Sequence, residues 1–186
     1  MELFAAAYLR YSVYKMPSEN QVTDIFEVID YLVTEKERAT LLEGTLIAVG
    51  FSWWKRQIIA PFLKTYNNNL VFYDSLHTLV TKQTNTEHQP EKIVVWGRKN
   101  PEIRQYAEKQ NRTLLTMEDG FIRSVGLGSN LVPPISLVID HLGIYFDSTT
   151  ASRLEMILEK YSFSARQLQD ANKLHQQLVD LKNRQI

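Results

Sequence analysis

Ile93-Val94-Val95-Trp96-Gly97, then Asn100-Pro101-Glu102, then Thr113-Leu114-Leu115-Thr116-Met117 is the stretch that decides the fold. Its two apolar runs have strand length, and strands buried on both faces are apolar throughout rather than alternating. Between them, Asn100 is a cap residue and Pro101 takes the first helical position, where its missing N–H is no loss. Glu102 adds a carboxylate to the first turn, facing the positive end of the helix dipole. The helix is expected to end near Gln110. Strand, helix and strand joined by short connections make a βαβ unit, and hence a parallel sheet flanked by helices.

The same alternation extends upstream. Thr45-Leu46-Ile47-Ala48-Val49-Gly50 is a β-leaning run, and Ser52 can cap a helix carrying Trp53, Trp54, Ile58 and Ile59. Leu70-Val71-Phe72-Tyr73 is a further strand, and the polar residues 81–90 form a surface loop. Residues 1–43 are predicted helical. Leu3-Phe4-Ala5-Ala6-Ala7-Tyr8-Leu9-Arg10-Tyr11 is apolar nearly all round and calls for cover, and Pro17 breaks it. Ile25, Val28, Ile29, Leu32 and Val33 then form a helical stripe that runs out in Glu35-Lys36-Glu37-Arg38, with Gly44 as the stop. Downstream, Ser136-Leu137-Val138-Ile139 and Ile144-Tyr145-Phe146 read as two strands around Gly143. Ser152-Arg153-Leu154-Glu155 is a capping box opening a helix to about Lys160. A last helix opens at Ser164, with Leu168, Ala171, Leu174, Leu178 and Leu181 on one side. The seam near Gly44 divides a helical segment, residues 1–43, from an α/β unit, residues 44–186.

The chain has 186 residues, with 21 Lys and Arg against 21 Asp and Glu, so the formal net charge is zero. That balance lacks the electrostatic footprint of a general nucleic-acid binder. With no cysteine, disulfides, thiolate zinc sites and a cysteine nucleophile are excluded. His77, His88, His141 and His175 are scattered without ligand spacing, which predicts no metal site. No apolar run reaches the ~18 residues of a membrane span. Met1-Glu2-Leu3-Phe4 lacks the basic start of a secretory signal. A cytoplasmic protein is expected.

Chemistry concentrates in Met117-Glu118-Asp119-Gly120-Phe121-Ile122-Arg123-Ser124-Val125-Gly126-Leu127-Gly128-Ser129-Asn130. This segment leaves the carboxyl end of a predicted strand, where open α/β sheets place their ligands. Arg123 offers a planar fork for a carboxylate or phosphate. Glu118 or Asp119 can act as a general base or accept hydrogen bonds from sugar hydroxyls. Two readings stand: a functional loop, or a tight turn with an internal Asp–Arg pair and glycines for geometry. Trp53 and Trp54 can stack on a sugar or base, though large aromatics more often anchor a helix to a sheet. Asp147 faces the same crevice or begins the turn toward Ser152.

The block 118–128, followed by Pro133-Pro134-Ile135-Ser136-Leu137-Val138-Ile139-Asp140 and Gly143-Ile144-Tyr145-Phe146-Asp147, closely resembles the bacterial capsule polysaccharide proteins of the KpsC or LipA type. These are retaining β-Kdo transferases with two glycosyltransferase modules in tandem. Val94-Val95-Trp96-Gly97 also looks like the strand that precedes this loop in both modules. The resemblance implies a GT-B architecture, two Rossmann-like halves facing across a cleft, with neither metal nor cofactor. It implies a CMP-Kdo donor and a growing, lipid-linked β-Kdo acceptor. Residues 1–43 resemble the tail of an upstream module, and residues 44–186 the acceptor-side half of the next. On that analogy Glu118 is the catalytic candidate, while Asp119, Arg123, Ser124, Gly126, Gly128 and Asp147 bind substrate. The donor half, with its nucleophilic Asp and its His-Pro motif, would follow Leu181, so CMP-Kdo is expected to bind only where that half is supplied. The chain then reads as an internal piece of a longer enzyme, inactive alone. The other readings are a non-catalytic module in capsule assembly or export, touching other assembly proteins, and a truncated gene product. An exposed cleft face predicts aggregation or a homo-oligomer, and a lipid-linked acceptor implies a peripheral place at the inner membrane.

Overall fold

The computed structural model describes residues 1–17, 21–82, 91–98, 100–123 and 132–183. Two compact units result, Met1–His141 and Leu142–Ile186. The Gly44 seam lies inside the first.

The first unit opens with α1 (Glu2–Phe4), which runs into a π-helical segment, Ala5–Arg10. Two strands not foreseen in the sequence follow: β1 (Tyr14–Lys15) pairs antiparallel with β2 (Val22–Thr23) on either side of Pro17. The helical segment stops at Arg10, well before the Pro17 expected to break it, and the aromatic and β-branched residues Tyr14, Val22 and Thr23 favour extended chain. Asp24, whose carboxylate accepts from the N–H groups of Phe26 (2.7 Å) and Glu27 (3.0 Å), then caps α2 (Ile25–Leu41). The cover expected for this region is missing over much of it. Leu3 is 87% exposed and Phe26 71%, and Ile29, Leu32 and Val33 also face outward.

β3 (Gly44–Val49), α3 (Trp53–Leu63), β4 (Asn68–Tyr73), β5 (Glu91–Trp96), α5 (Pro101–Lys109) and β6 (Thr113–Asp119) follow the expected alternation, while α4 (Leu76–Lys82) was not foreseen and takes in the first two residues of the loop expected over 81–90, the rest of which lies outside the described residues. With β7 (Leu137–Asp140) they form one sheet of order β4-β3-β5-β6-β7, parallel except for β7. Alternate side chains feed two cores. Leu46, Ala48, Val94, Leu115 and Met117 pack with Ile59 and Leu63 of α3, while Ile47, Val49, Ile93 and Val95 pack with Leu79, Ile103 and Ala107 of α4 and α5. The sheet is therefore buried on both faces, as its apolar strands require.

Side chains from the sheet end tie down the helix C-termini. Lys92 Nζ donates to the carbonyl of Leu41 (2.8 Å), a cation at the negative end of α2. Asn68 Nδ2 donates to the carbonyls of Leu42 (3.0 Å) and Leu63 (2.7 Å), while its Oδ1 accepts from Thr65 N–H (3.1 Å). Arg38 bridges α2 to the end of α3 through the Phe62 carbonyl (3.1 Å). It also hydrogen-bonds Glu35, which holds that carboxyl below the usual glutamate range against the opposing effect of burial.

β7 runs antiparallel to β6, Met117 opposite Ile139, a direction that the sequence reading left unassigned. One strand reading needs correction. Ile144-Tyr145-Phe146 is no strand but a turn closed by Asp147 N–H to the Ile144 carbonyl (2.8 Å). The Asp147 carboxylate accepts from Thr149 N–H (2.9 Å), and such local bonds compete with sheet pairing. In this second unit, Ser152 and Glu155 form the expected capping box of α6 (Arg153–Lys160), and α7 (Ala165–Asn183) presents the Leu168, Leu174, Leu178 and Leu181 stripe exposed.

The β6–β7 return is closed by Gly120 N–H to the Ser136 carbonyl (2.9 Å), Ser136 Oγ to the Ile122 carbonyl (2.6 Å), and Ile135 N–H to the Arg123 carbonyl (2.6 Å). A Cβ at Gly120 would fall on Ser136 Oγ and lie 3.0 Å from its carbonyl carbon. Gly120→Ala should therefore lower stability by about 1–3 kcal/mol by overpacking, and a Ser136→Gly change alongside it should recover part of the loss. An unshifted thermal midpoint for Gly120→Ala would refute this packing. Asn68→Ala should cost about 2 kcal/mol, since it strands two buried carbonyls and an N–H. Urea unfolding would show this as a lower midpoint at unchanged slope, and an unchanged midpoint counts against the anchoring role.

Candidate functional site

A cavity of about 210 Å³ opens at the carboxyl ends of β5 and β6, lined by Trp54, Lys55, Ile58, Ile59, Trp96, Asp119, Arg123 and Pro134. Its position follows from the topology. With helices on both faces, the strand ends and the loops that leave them are where backbone and polar side chains can meet a ligand. α3 contributes Trp54 and Lys55 from its first turn, and Ile58 and the buried Ile59 from its second. Trp96 is the last residue of β5, Asp119 the last of β6, and Pro134 stands just before β7.

Asp119 and Arg123 are the predicted residues that the structure brings together. Arg123 Nε donates to Asp119 Oδ2 at 2.6 Å, and Arg123 Nη2 reaches the Val132 carbonyl at 3.4 Å. The internal Asp–Arg pair of the structural reading thus exists, and it sits in the wall of a cavity.

Glu118 lies elsewhere. Successive side chains of a strand point to opposite faces. Asp119, in step with Leu115 and Met117, is on the α3 face, whereas Glu118, in step with Leu114, is on the α5 face. There its Oε1 accepts from Asp119 N–H (3.1 Å), and its Oε2 lies 3.2 Å from where a Cβ on Gly97 would stand. Gly97 has φ +57°, a conformation that suits glycine, so both its backbone and its neighbour favour the absence of a side chain. The carboxylates of Glu118 and Asp119 therefore bracket the end of β6 rather than share one pocket. Asp147 belongs to the second unit, where it is buried and organises the turn at Thr149. Ser124, Gly126 and Gly128 lie outside the described residues.

Sequence reasoning missed Lys55, and Trp96 as more than a strand residue. Lys55 Nζ stands over the Trp96 ring, 3.2 Å from its centroid, within the range of cation–π attraction. The anchoring role favoured for the tryptophans of α3 does not describe Trp54, which is 42% exposed and turned to the cavity, or Trp53, which is exposed. The available signal was that Trp96 ends one strand and α3 begins just past the end of another. That these strands are neighbours, Ala48 opposite Val94, is a tertiary fact. Indole faces, isoleucine side chains, a lysine and an Asp–Arg pair together suit a ligand with apolar ring faces, hydroxyl groups and a negative charge. No group of three or more His, Asp or Glu residues arranged to hold a metal ion occurs among the described residues. Nor is any helix there long and apolar enough to cross a membrane.

Comparison with known proteins places this geometry. Residues 91–186 match the family of capsule polysaccharide biosynthesis proteins. Over 180 residues, 97% of the chain, the sequence is 44% identical to the capsule polysaccharide modification protein LipA of Neisseria meningitidis serogroups A and B. The chain spans about a quarter of the length of these relatives, 25%. Among solved structures it is similar to Thermosulfurimonas dismutans KpsC, beta Kdo 2,7 transferase, with 32% identity and a TM-score of 0.55 over 70% of this chain and 40% of that one. It is also similar to the beta Kdo 2,4 transferase of the same organism's KpsC, with 28% identity and a TM-score of 0.54 over 71% of this chain and 38% of that one. The match over the second half and the identity along nearly the whole length agree: the chain belongs to the capsule polysaccharide biosynthesis protein family, of the KpsC and LipA type.

Proposed function

We propose that this chain forms the acceptor-binding side of a retaining β-Kdo glycosyltransferase that builds the lipid-linked linker of a capsular polysaccharide. The observation that carries the reading is the Asp119–Arg123 cavity at the carboxyl ends of β5 and β6, in a chain 32% identical to a beta Kdo 2,7 transferase. In the proposed cleft the Arg123 guanidinium meets the acceptor's carboxylate, and Asp119 accepts hydrogen bonds from its hydroxyls while holding Arg123 in place. Retention by double displacement requires a carboxylate nucleophile and a second acid/base group, the logic seen in retaining glycosidases. Glu118 is our candidate for the acid/base role. Its carboxylate is held at the strand end by Asp119 N–H and by the space Gly97 leaves. The nucleophile and the CMP-Kdo site we assign to a donor half, which would complete the cleft. Ser124, Gly126 and Gly128 keep the substrate-binding roles that the family resemblance gives them, whereas Asp147, buried and bonded to Thr149 in the second unit, is assigned its turn alone. Residues 1–43 remain our candidate for the tail of an upstream module. Because the acceptor is anchored in lipid, we place the protein at the cytoplasmic face of the inner membrane, as a peripheral protein.

A chimera tests this. Replacing the matching 180-residue segment of the Neisseria LipA protein by this chain should preserve transfer from CMP-Kdo to a β-Kdo-primed lipid acceptor. In that chimera Glu118→Gln should lower kcat by about 100-fold or more, the usual scale for a lost general acid/base. Arg123→Ala should act mainly by raising the acceptor's KM. Unaltered rates in both variants would contradict the assigned roles.

A further inference from the structure

Two polar side chains on the α5 face of the sheet, outside the cavity, have hydrogen-bonding capacity to spare. Glu118 Oε1 accepts from Asp119 N–H (3.1 Å), and among the described residues no hydrogen bond takes up its Oε2. Asn100 holds the cap position of α5, where an asparagine side chain ordinarily accepts from the first N–H groups of the helix. It makes no such bond. It turns instead toward the loop that leaves the neighbouring strand, with Nδ2 3.2 Å from where a Cβ on Gly50 would stand. Glu118 Oε2 stands in the same relation to Gly97, also at 3.2 Å.

The sheet fixes both glycines. Gly50 N–H donates to the Tyr73 carbonyl (3.0 Å) and Gly97 N–H to the Met117 carbonyl (2.9 Å), so each is held just past the end of its strand. Their φ angles, +79° and +57°, are ones that glycine adopts without strain. Because β3, β5 and β6 are neighbours, Gly50, Gly97 and Glu118 form a row across three strand ends. The missing side chains leave room there for the Asn100 amide and the Glu118 carboxylate, both partly exposed, at the point where the strand order reverses. An amide that donates and accepts, beside a carboxylate that accepts, is a pair suited to adjacent hydroxyl groups.

We infer that Asn100 and Glu118 form a second acceptor subsite on the α5 face, so that the acceptor straddles the end of β6. One sugar residue lies in the Asp119–Arg123 cavity on the α3 face, and its neighbour presents the reacting hydroxyl to Glu118. The inference rests on the acceptor-side reading above and deepens it, since it accounts for an acid/base candidate that stands outside the cavity. Asn100 is a positioning residue: its amide donates to one hydroxyl and so turns the next toward Glu118, and no bond is made or broken by it.

The test is calorimetric titration of the 186-residue chain with the methyl β-glycoside of Kdo and with the methyl glycoside of the β-linked Kdo disaccharide. The wild-type chain should bind the disaccharide about tenfold or more tightly than the monosaccharide, the scale of one hydrogen bond to a charged group. Asn100→Asp, which loses the amide donor, should remove that gain and leave monosaccharide affinity unchanged. Aspartate caps a helix as well as asparagine does, so the thermal midpoint should stay at or above wild type. A merely structural Asn100 would leave the ratio of the two affinities where it was. Asn100→Ala, which places no new charge beside Glu118, should remove the gain as well. If the wild-type chain binds both ligands equally, or if the Asn100 variants keep the wild-type ratio or weaken both ligands alike, the second subsite is overturned while the acceptor-side reading stands. Failure of the wild-type chain to bind either ligand overturns both.

Discussion

The parallel pairing of β3 with β5, Ile47 opposite Ile93 and Ala48 opposite Val94, is the contact on which the rest of the structure depends. It joins two strand–helix–strand units that lead away in opposite directions, β3–α3–β4 to one side and β5–α5–β6 to the other. At such a reversal the loops leaving adjacent strands diverge to opposite faces, and a crevice opens between them. The first turn of α3, just beyond β3, and the ends of β5 and β6 meet there. Trp54 and Lys55 are thereby brought to Trp96, Asp119 and Arg123 across long stretches of sequence. Each partner was available in the chain, but only the pairing of these two strands makes them neighbours.

The alternation of short apolar runs with capped helices was legible because buried parallel strands and amphipathic helices differ in period and length. The Asn100-Pro101-Glu102 start and the Ser152–Glu155 box behave as their chemistry requires, although Asn100 and Ser52 cap by position without a side-chain hydrogen bond. The antiparallel direction of β7 was not read from the sequence, and Ile144-Tyr145-Phe146 was misread in type. Strand direction depends on what connects two strands, and a three-residue apolar run is overruled by one aspartate that bonds locally. At the site, Asp119 and Arg123 were legible because they are four residues apart in one loop. The separation of Glu118 from Asp119 was obscured because adjacent residues look like partners, although strand geometry sends them to opposite faces. Lys55 was hidden altogether, since nothing local distinguishes it from any lysine in the first turn of a helix.

The outward stripes add a second layer to this account. Phe26, Ile29, Leu32 and Val33 on α2 form an apolar row in the first unit, and Leu168, Leu174, Leu178 and Leu181 form another on α7 in the second. An amphipathic helix gains most of its stability from burying such a face. These rows accord with a chain that spans a quarter of its relatives' length. In the proposed enzyme the donor site and the nucleophile belong to another half, and this half supplies the acceptor pocket together with the candidate acid/base, Glu118.

The central claim is that this chain recognises the acceptor and that the donor site lies in another half. Titrating the 186-residue chain with a short β-Kdo oligosaccharide and separately with CMP, while following backbone amide resonances, addresses it directly. The account predicts saturable shifts at the ends of β5 and β6 and in the first turn of α3 with the oligosaccharide, and none with CMP. Saturable CMP binding at those positions, without a response to the oligosaccharide, would contradict it.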